Sequence, residues 1–170
     1  KKFATLDKTA FLKGFLFDWQ KFTKGNYKDV LQDWKKHTDN FFIFETGLVI
    51  FLITLSGFIY SLRHRDNFGY KLLPVFILTF PFLIYGHEPL SSLVNFLRET
   101  IPLFREGYRF PWTKFSIIII FCFAFYFSQG IFWLTRFFKD VKKSLILGVV
   151  ATLLLILWML PAFRGNLISR

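Results

Sequence analysis

Residues 101–115 read IPLFREGYRFPWTKF and bring Arg105, Arg109 and Lys114 together beside Glu106 and the aromatics Tyr108, Phe110 and Trp112. A guanidinium recognises phosphate as a two-pronged donor and a lysine adds a point charge. Beside aromatics that favour the water–lipid boundary, the matching ligand is the phosphate of a lipid or of a lipid-linked sugar. The alternative is that the three cations anchor the end of an apolar segment among headgroups and pair with Glu106. A second pair, His87-Glu88, has the residue types for acid–base chemistry, or else for a structural or capping role. Together these five residues are the candidate substrate-binding set. His37 and His64 are far from His87 in sequence, so no metal-ligand spacing is present and no metal or other cofactor is expected. No phosphate-binding glycine loop and no Ser/His/Asp constellation occurs, which leaves the catalytic residue unassigned.

The elements that must position these residues are apolar. Of 170 residues 54% are hydrophobic and 26 are Phe, with mean hydropathy +0.42. They fall in long blocks, without the short rhythm of a half-buried surface. The chain is therefore expected to be an all-α, polytopic integral membrane bundle. Four spans are expected, at about 41–62, 70–86, 115–135 and 144–163. The second holds Pro74 and Pro81, reaches across only with the help of residues 68–70, and has a re-entrant hairpin as its alternative. Glu45, one turn into the first span, either lines a cavity or reaches out to the interface. Cys122 is the only cysteine, which excludes an intrachain disulfide.

The formal charge of +11 does not indicate nucleic acid, because the basic residues flank apolar blocks, where they meet lipid phosphates and set topology. The short linkers 63–71 and 136–143 hold three and four basic residues, whereas the long linker 87–114 holds four in 28. This bias puts both short linkers in the cytoplasm and the chain termini and the 87–114 linker outside. Nine lysines in residues 1–40 run against it, although long segments follow the rule weakly. Residues 1–40 are expected to form two amphipathic interfacial or extracytoplasmic helices. One is capped by Asp7 and carries Phe11, Leu12, Phe15, Leu16, Trp19 and Phe22; the other carries Tyr27, Val30, Leu31 and Trp34, and Lys24-Gly25-Asn26 separates them. In the outer amphipathic linker, Pro89 opens a helix whose stripe is Leu90, Leu93, Val94, Leu97 and Ile101, and Pro102 closes it. An irregular segment then leads to the third span.

The segments IPLFREGYRFPWTKFSI and LPAFRGNLIS resemble the "FR-x-P-x-K/R-F" and aromatic-Gly-Asn stretches of bacterial GT-C-type membrane proteins, including YfhO-like and arabinofuranosyltransferase-like proteins. The resemblance covers roughly residues 41–169. Here Glu106-Gly107-Tyr108 lengthen the arginine–proline spacing, so Arg105 or Arg109 is the matching arginine. It implies a cell-envelope glycosyltransferase in the bacterial inner membrane that takes sugar from a polyprenyl-phosphate donor. Such enzymes place a catalytic carboxylate in a first large outer loop with no counterpart here, so the chain is read as part of a longer one. The partners expected are membrane lipids, a polyprenyl-phosphate sugar and the remainder of the parent chain. The alternatives are a non-catalytic scaffold or lipid-binding subunit, and part of a transporter.

Overall fold

In hydrocarbon every backbone N–H and C=O must be satisfied within its own segment, so an apolar run of about 20 residues crosses as a helix. The computed structural model describes residues 9–11, 20–23, 26–65, 68–86, 88–109, 111–138 and 141–165. Two strands, β1 (Gln20–Thr23) and β2 (Asn26–Asp29), precede the helices α1 (Gln32–Thr38), α2 (Phe41–Arg63), α3 (Phe68–Leu83) and α4 (Leu90–Thr100). The helices α5 (Pro102–Gly107), α6 (Pro111–Thr135), α7 (Val141–Trp158) and α8 (Leu160–Phe163) follow. Among the described residues the fold is helical apart from this hairpin.

Among the described residues three helices are long and apolar enough to span a membrane: Phe41–Arg63, Lys114–Thr135 and Val141–Trp158. Protein buries only 28%, 28% and 6% of these spans. A helix apolar all round needs either a large core or lipid around it. With so little protein cover, Leu145, Ile146, Val149 and Leu153 of α7 are exposed, as suits a helix surrounded by lipid. Several threonine hydroxyls inside the apolar helices satisfy themselves locally. Thr46 donates to Phe42 O at 2.9 Å, Thr54 to Ile50 O at 2.9 Å, and Thr152 to Gly148 O at 2.9 Å. The second apolar block forms α3, which begins at Phe68, has 16 residues and contains both Pro74 and Pro81. At 1.5 Å per residue it is about 24 Å long, against about 30 Å of hydrocarbon.

Two expectations change. Residues 20–29 form an antiparallel hairpin in place of helix, with Gln20 opposite Asp29 and Thr23 opposite Asn26. Phe22 and Tyr27 face each other across it at 5.2 Å, the aromatic cross-strand contact that favours strand over helix here. Val30 and Leu31 form the following turn, and the helix starts at Gln32. Asp7, Leu12, Phe15, Leu16 and Trp19 lie outside the described residues. The last apolar block also divides, into α7 and α8 on either side of Met159. Pro161, near the start of α8, has no N–H to offer Leu157 O, and His37 Nε2 takes that carbonyl at 2.9 Å instead.

The contacts divide the chain into two units, Lys1–Phe15 with Leu72–Cys122, and Leu16–Lys71 with Phe123–Arg170. In the second, α2 and α6 meet backbone to backbone. A Cβ on Gly57 would collide with Tyr126 O and Gly130 N, and one on Gly130 with Ile53 O. Small residues permit this approach, and lipid-embedded helices associate largely through such packing. Beside the crossing, Phe58 meets Tyr126 edge-on at 5.4 Å, and the Tyr126 hydroxyl donates to Gly69 O at 3.1 Å.

Replacing Gly57 or Gly130 by alanine is expected to cost about 1–3 kcal/mol, the usual penalty of overpacking. Gly148→Ala is the control, since no atom lies within 4 Å of its Cβ position, and it should be neutral or slightly stabilising. Unfolding followed by circular dichroism in detergent measures both.

Candidate functional site

The candidate cations occupy the corner where α4, α5 and α6 follow one another in the first unit. Pro102 does stop α4, which ends at Thr100 with Ile101 extended. The segment beyond it was expected to be irregular, yet it folds as α5. Proline suits the first turn of a helix as well as it ends the preceding one, because the first N–H groups have no intrahelical acceptor. Pro111 opens α6 in the same way, four residues ahead of the apolar block.

Helix α5 spans 6 residues and is held from outside. Tyr108 N closes its last turn on Phe104 O at 2.8 Å, but Pro111 has no N–H to offer Gly107 O. Lys114 Nζ donates to Gly107 O at 2.7 Å and reaches Glu106 O at 3.5 Å. Arg98 donates from Nη2 to Tyr108 O at 2.6 Å, and its guanidinium lies over the Tyr85 ring at 5.4 Å. Tyr108 stacks between Phe104 at 4.2 Å and Phe115 at 5.4 Å, and is buried. Burial pushes its phenol above the usual tyrosine range.

On this frame Arg105 and Arg109 are exposed. Arg105 Nε lies 3.8 Å from Glu106 Oε1, with both side chains about two-thirds exposed (67% and 65%), so solvent screens the pair. The structure thus brings Arg105, Arg109 and Lys114 to one corner but divides their work. Lys114 directs its ammonium at the backbone, and the arginines face outward. Phe110 lies outside the described residues.

Glu88 sits at the entrance to α4. Its carboxylate accepts from Ser91 Oγ, from Ser92 N at 3.2 Å and from Ser92 Oγ at 2.7 Å. A carboxylate there satisfies first-turn donors and complements the helix dipole. His87 lies outside the described residues. Glu45 is exposed on α2, about 6 Å along the axis from its first residue. Among the described residues no three His, Cys, Asp or Glu side chains converge on a metal position.

Arg98 is the residue that the linker pattern did not single out. Its place was legible: it lies four residues after Val94 and seven after Ser91, the two buried positions of α4, and so shares their face.

Arg98→Gln removes a charged hydrogen bond, worth about 1.5–3 kcal/mol, and should speed amide exchange across residues 103–109 by at least about tenfold while α2 and α7 stay protected. The corner also has a pH limit. A phenol whose pKa is raised by folding leaves stability intact below the unfolded value near 10 and removes it as pH climbs beyond. Exchange at the corner should therefore be level through neutrality and accelerate above about pH 10, apart from the intrinsic base-catalysed rise.

No family model, no curated protein and no solved structure matches the chain.

Proposed function

We propose that this chain is part of a polytopic membrane protein that binds a phosphate-bearing lipid at its outer interface. The observation that carries this reading is the exposed pair Arg105 and Arg109 on a corner held by Arg98 and Lys114. Phosphate recognition needs forked donors at a fixed place, and burying Tyr108 while tying the carbonyls of residues 107 and 108 supplies that place. The resemblance of IPLFREGYRFPWTKFSI to GT-C-type proteins directs the reading toward a polyprenyl-phosphate sugar and transfer to an envelope glycan or glycolipid. In such a transfer the bond between the anomeric carbon and the phosphate oxygen breaks and its electron pair stays on the phosphate. Two guanidinium groups stabilise that charge. The acceptor's proton passes to a base that is not assigned to this chain.

The membrane placement proposed is four crossings, with α3 completing its span through flanking residues or a locally thin bilayer. Charge supports it. If α3 turned back, the basic linkers 63–71 and 136–143 would fall on opposite sides, against the positive-inside bias. The corner and both chain ends then face outward across a bacterial inner membrane.

A second reading is a lipid-binding scaffold. It is favoured by the way Lys114 and Arg98 spend their charge on backbone carbonyls, which builds structure without chemistry.

Lysine exchange separates the two. With the protein in nanodiscs, Arg105→Gln with Arg109→Gln should weaken binding of undecaprenyl phosphate at least about tenfold, as loss of charged hydrogen bonds requires. Arg105→Lys with Arg109→Lys should fail to restore it if the forks matter. Full restoration by lysine would favour the scaffold, and unchanged binding in the glutamine variant would end the phosphate reading.

A further inference from the structure

A second polar place lies in the other unit, at the ends of two spanning helices. A cleft of about 470 Å³ opens between α1, the start of α2, the end of α7 and α8. Its volume falls in the range of small-ligand sites. Asp33 and Lys36 enter it from α1, Arg164 from the end of α8, while Ile43 and Leu160 form an apolar side. Lys36 and Arg164 are exposed, and among the described residues neither makes an ion pair.

The cleft is built. Pro161 strips Leu157 O of its helical donor, and His37 supplies a replacement from α1, joining α1 to the end of α7. Asn40 ends the connection on the other side by accepting from Phe42 N at 3.0 Å, which sets where α2 enters the membrane. The cleft mouth therefore lies at the level where apolar spans give way to polar chain.

A ligand here meets two cations, one carboxylate and an apolar wall leading toward the spans. A phosphate satisfies Lys36 and Arg164, and a primary ammonium joined to it satisfies Asp33. Acyl chains continue along Ile43 and Leu160. We propose that this cleft binds the headgroup of a zwitterionic aminophospholipid, phosphate on Lys36 and Arg164 and ammonium on Asp33. The site is separate in its residues from the Arg105 and Arg109 corner and does not depend on the function proposed for it.

Native mass spectrometry of the whole chain in maltoside micelles tests it. The probes are dihexanoyl phosphatidylethanolamine, dihexanoyl phosphatidylglycerol and inorganic phosphate. The ethanolamine lipid should bind saturably, one per chain, and more tightly than the glycerol lipid. Lys36→Gln with Arg164→Gln should lower affinity for both lipids by about tenfold or more, whereas Asp33→Asn should remove only the preference for ethanolamine. Arg105→Gln with Arg109→Gln should leave the preference for the ethanolamine lipid over the glycerol lipid in place. Asp33 is exposed, so its variant keeps the test informative even if the double variant misfolds. Equal affinity for inorganic phosphate would assign the cleft to the free ion and overturn the lipid. Equal affinity for the two lipids, with Asp33→Asn silent, would overturn the ammonium contact. Binding lost only in the Arg105 and Arg109 variant would overturn the cleft itself.

Discussion

Between α2 and α6 the backbones touch at Gly57 and Gly130 with no room for a single added carbon. Lipid gives helices no hydrophobic incentive to associate, since acyl chains solvate leucine as well as another helix does. Close contact has to supply the attraction, and it does so only where side chains are absent. The Tyr126 bond to Gly69 and its edge contact with Phe58 lie beside this approach and tie the start of α3 to the same place. The same helix α2 also packs against α7, so this approach is one of the contacts that order the second unit.

Proline recurs where the polar corner and the polar cleft are assembled. At Pro102 and Pro111 it begins helices, and the short helix between them ends in carbonyls that Lys114 receives. At Pro161 it leaves a carbonyl that His37 receives. In each case a backbone group without its helical partner recruits a side chain from a neighbouring segment, and that side chain joins elements near a membrane boundary. The corner and the cleft are both products of this one rule. Neither side chain that serves a carbonyl need touch a ligand to matter, because each positions the element on which exposed charges stand.

Much was legible in the chain itself. The first, third and fourth apolar blocks mark helices long enough to span a membrane, whereas the second gives a helix of only 16 residues. The stripe from Leu90 to Ile101 marks α4, although only Val94 of that stripe is deeply buried. The hairpin at residues 20–29 was not legible, because Phe22 continues a helical spacing and its cross-strand partner Tyr27 lies beyond a Lys-Gly break that ends a helix equally well. The division of the fourth block was written in Pro161, yet the apolar run continues straight through it. Lys114 looked like a ligand for phosphate because composition counts charges without saying which acceptor each one meets.

The sequence by itself determined a helical membrane protein, its apolar segments, and a cluster of cations at one end of a span. These follow from local quantities: the energy of apolar groups in lipid, the period of a helix, and the missing N–H of proline. Only the tertiary structure decided that Lys114 and Arg98 hold carbonyls while Arg105 and Arg109 face outward. It alone brought Asp33 and Lys36 to a cleft with Arg164, more than 120 residues away in the chain. A side chain's role depends on which unsatisfied group lies within about 3 Å of it, and that distance is set by how helices pack.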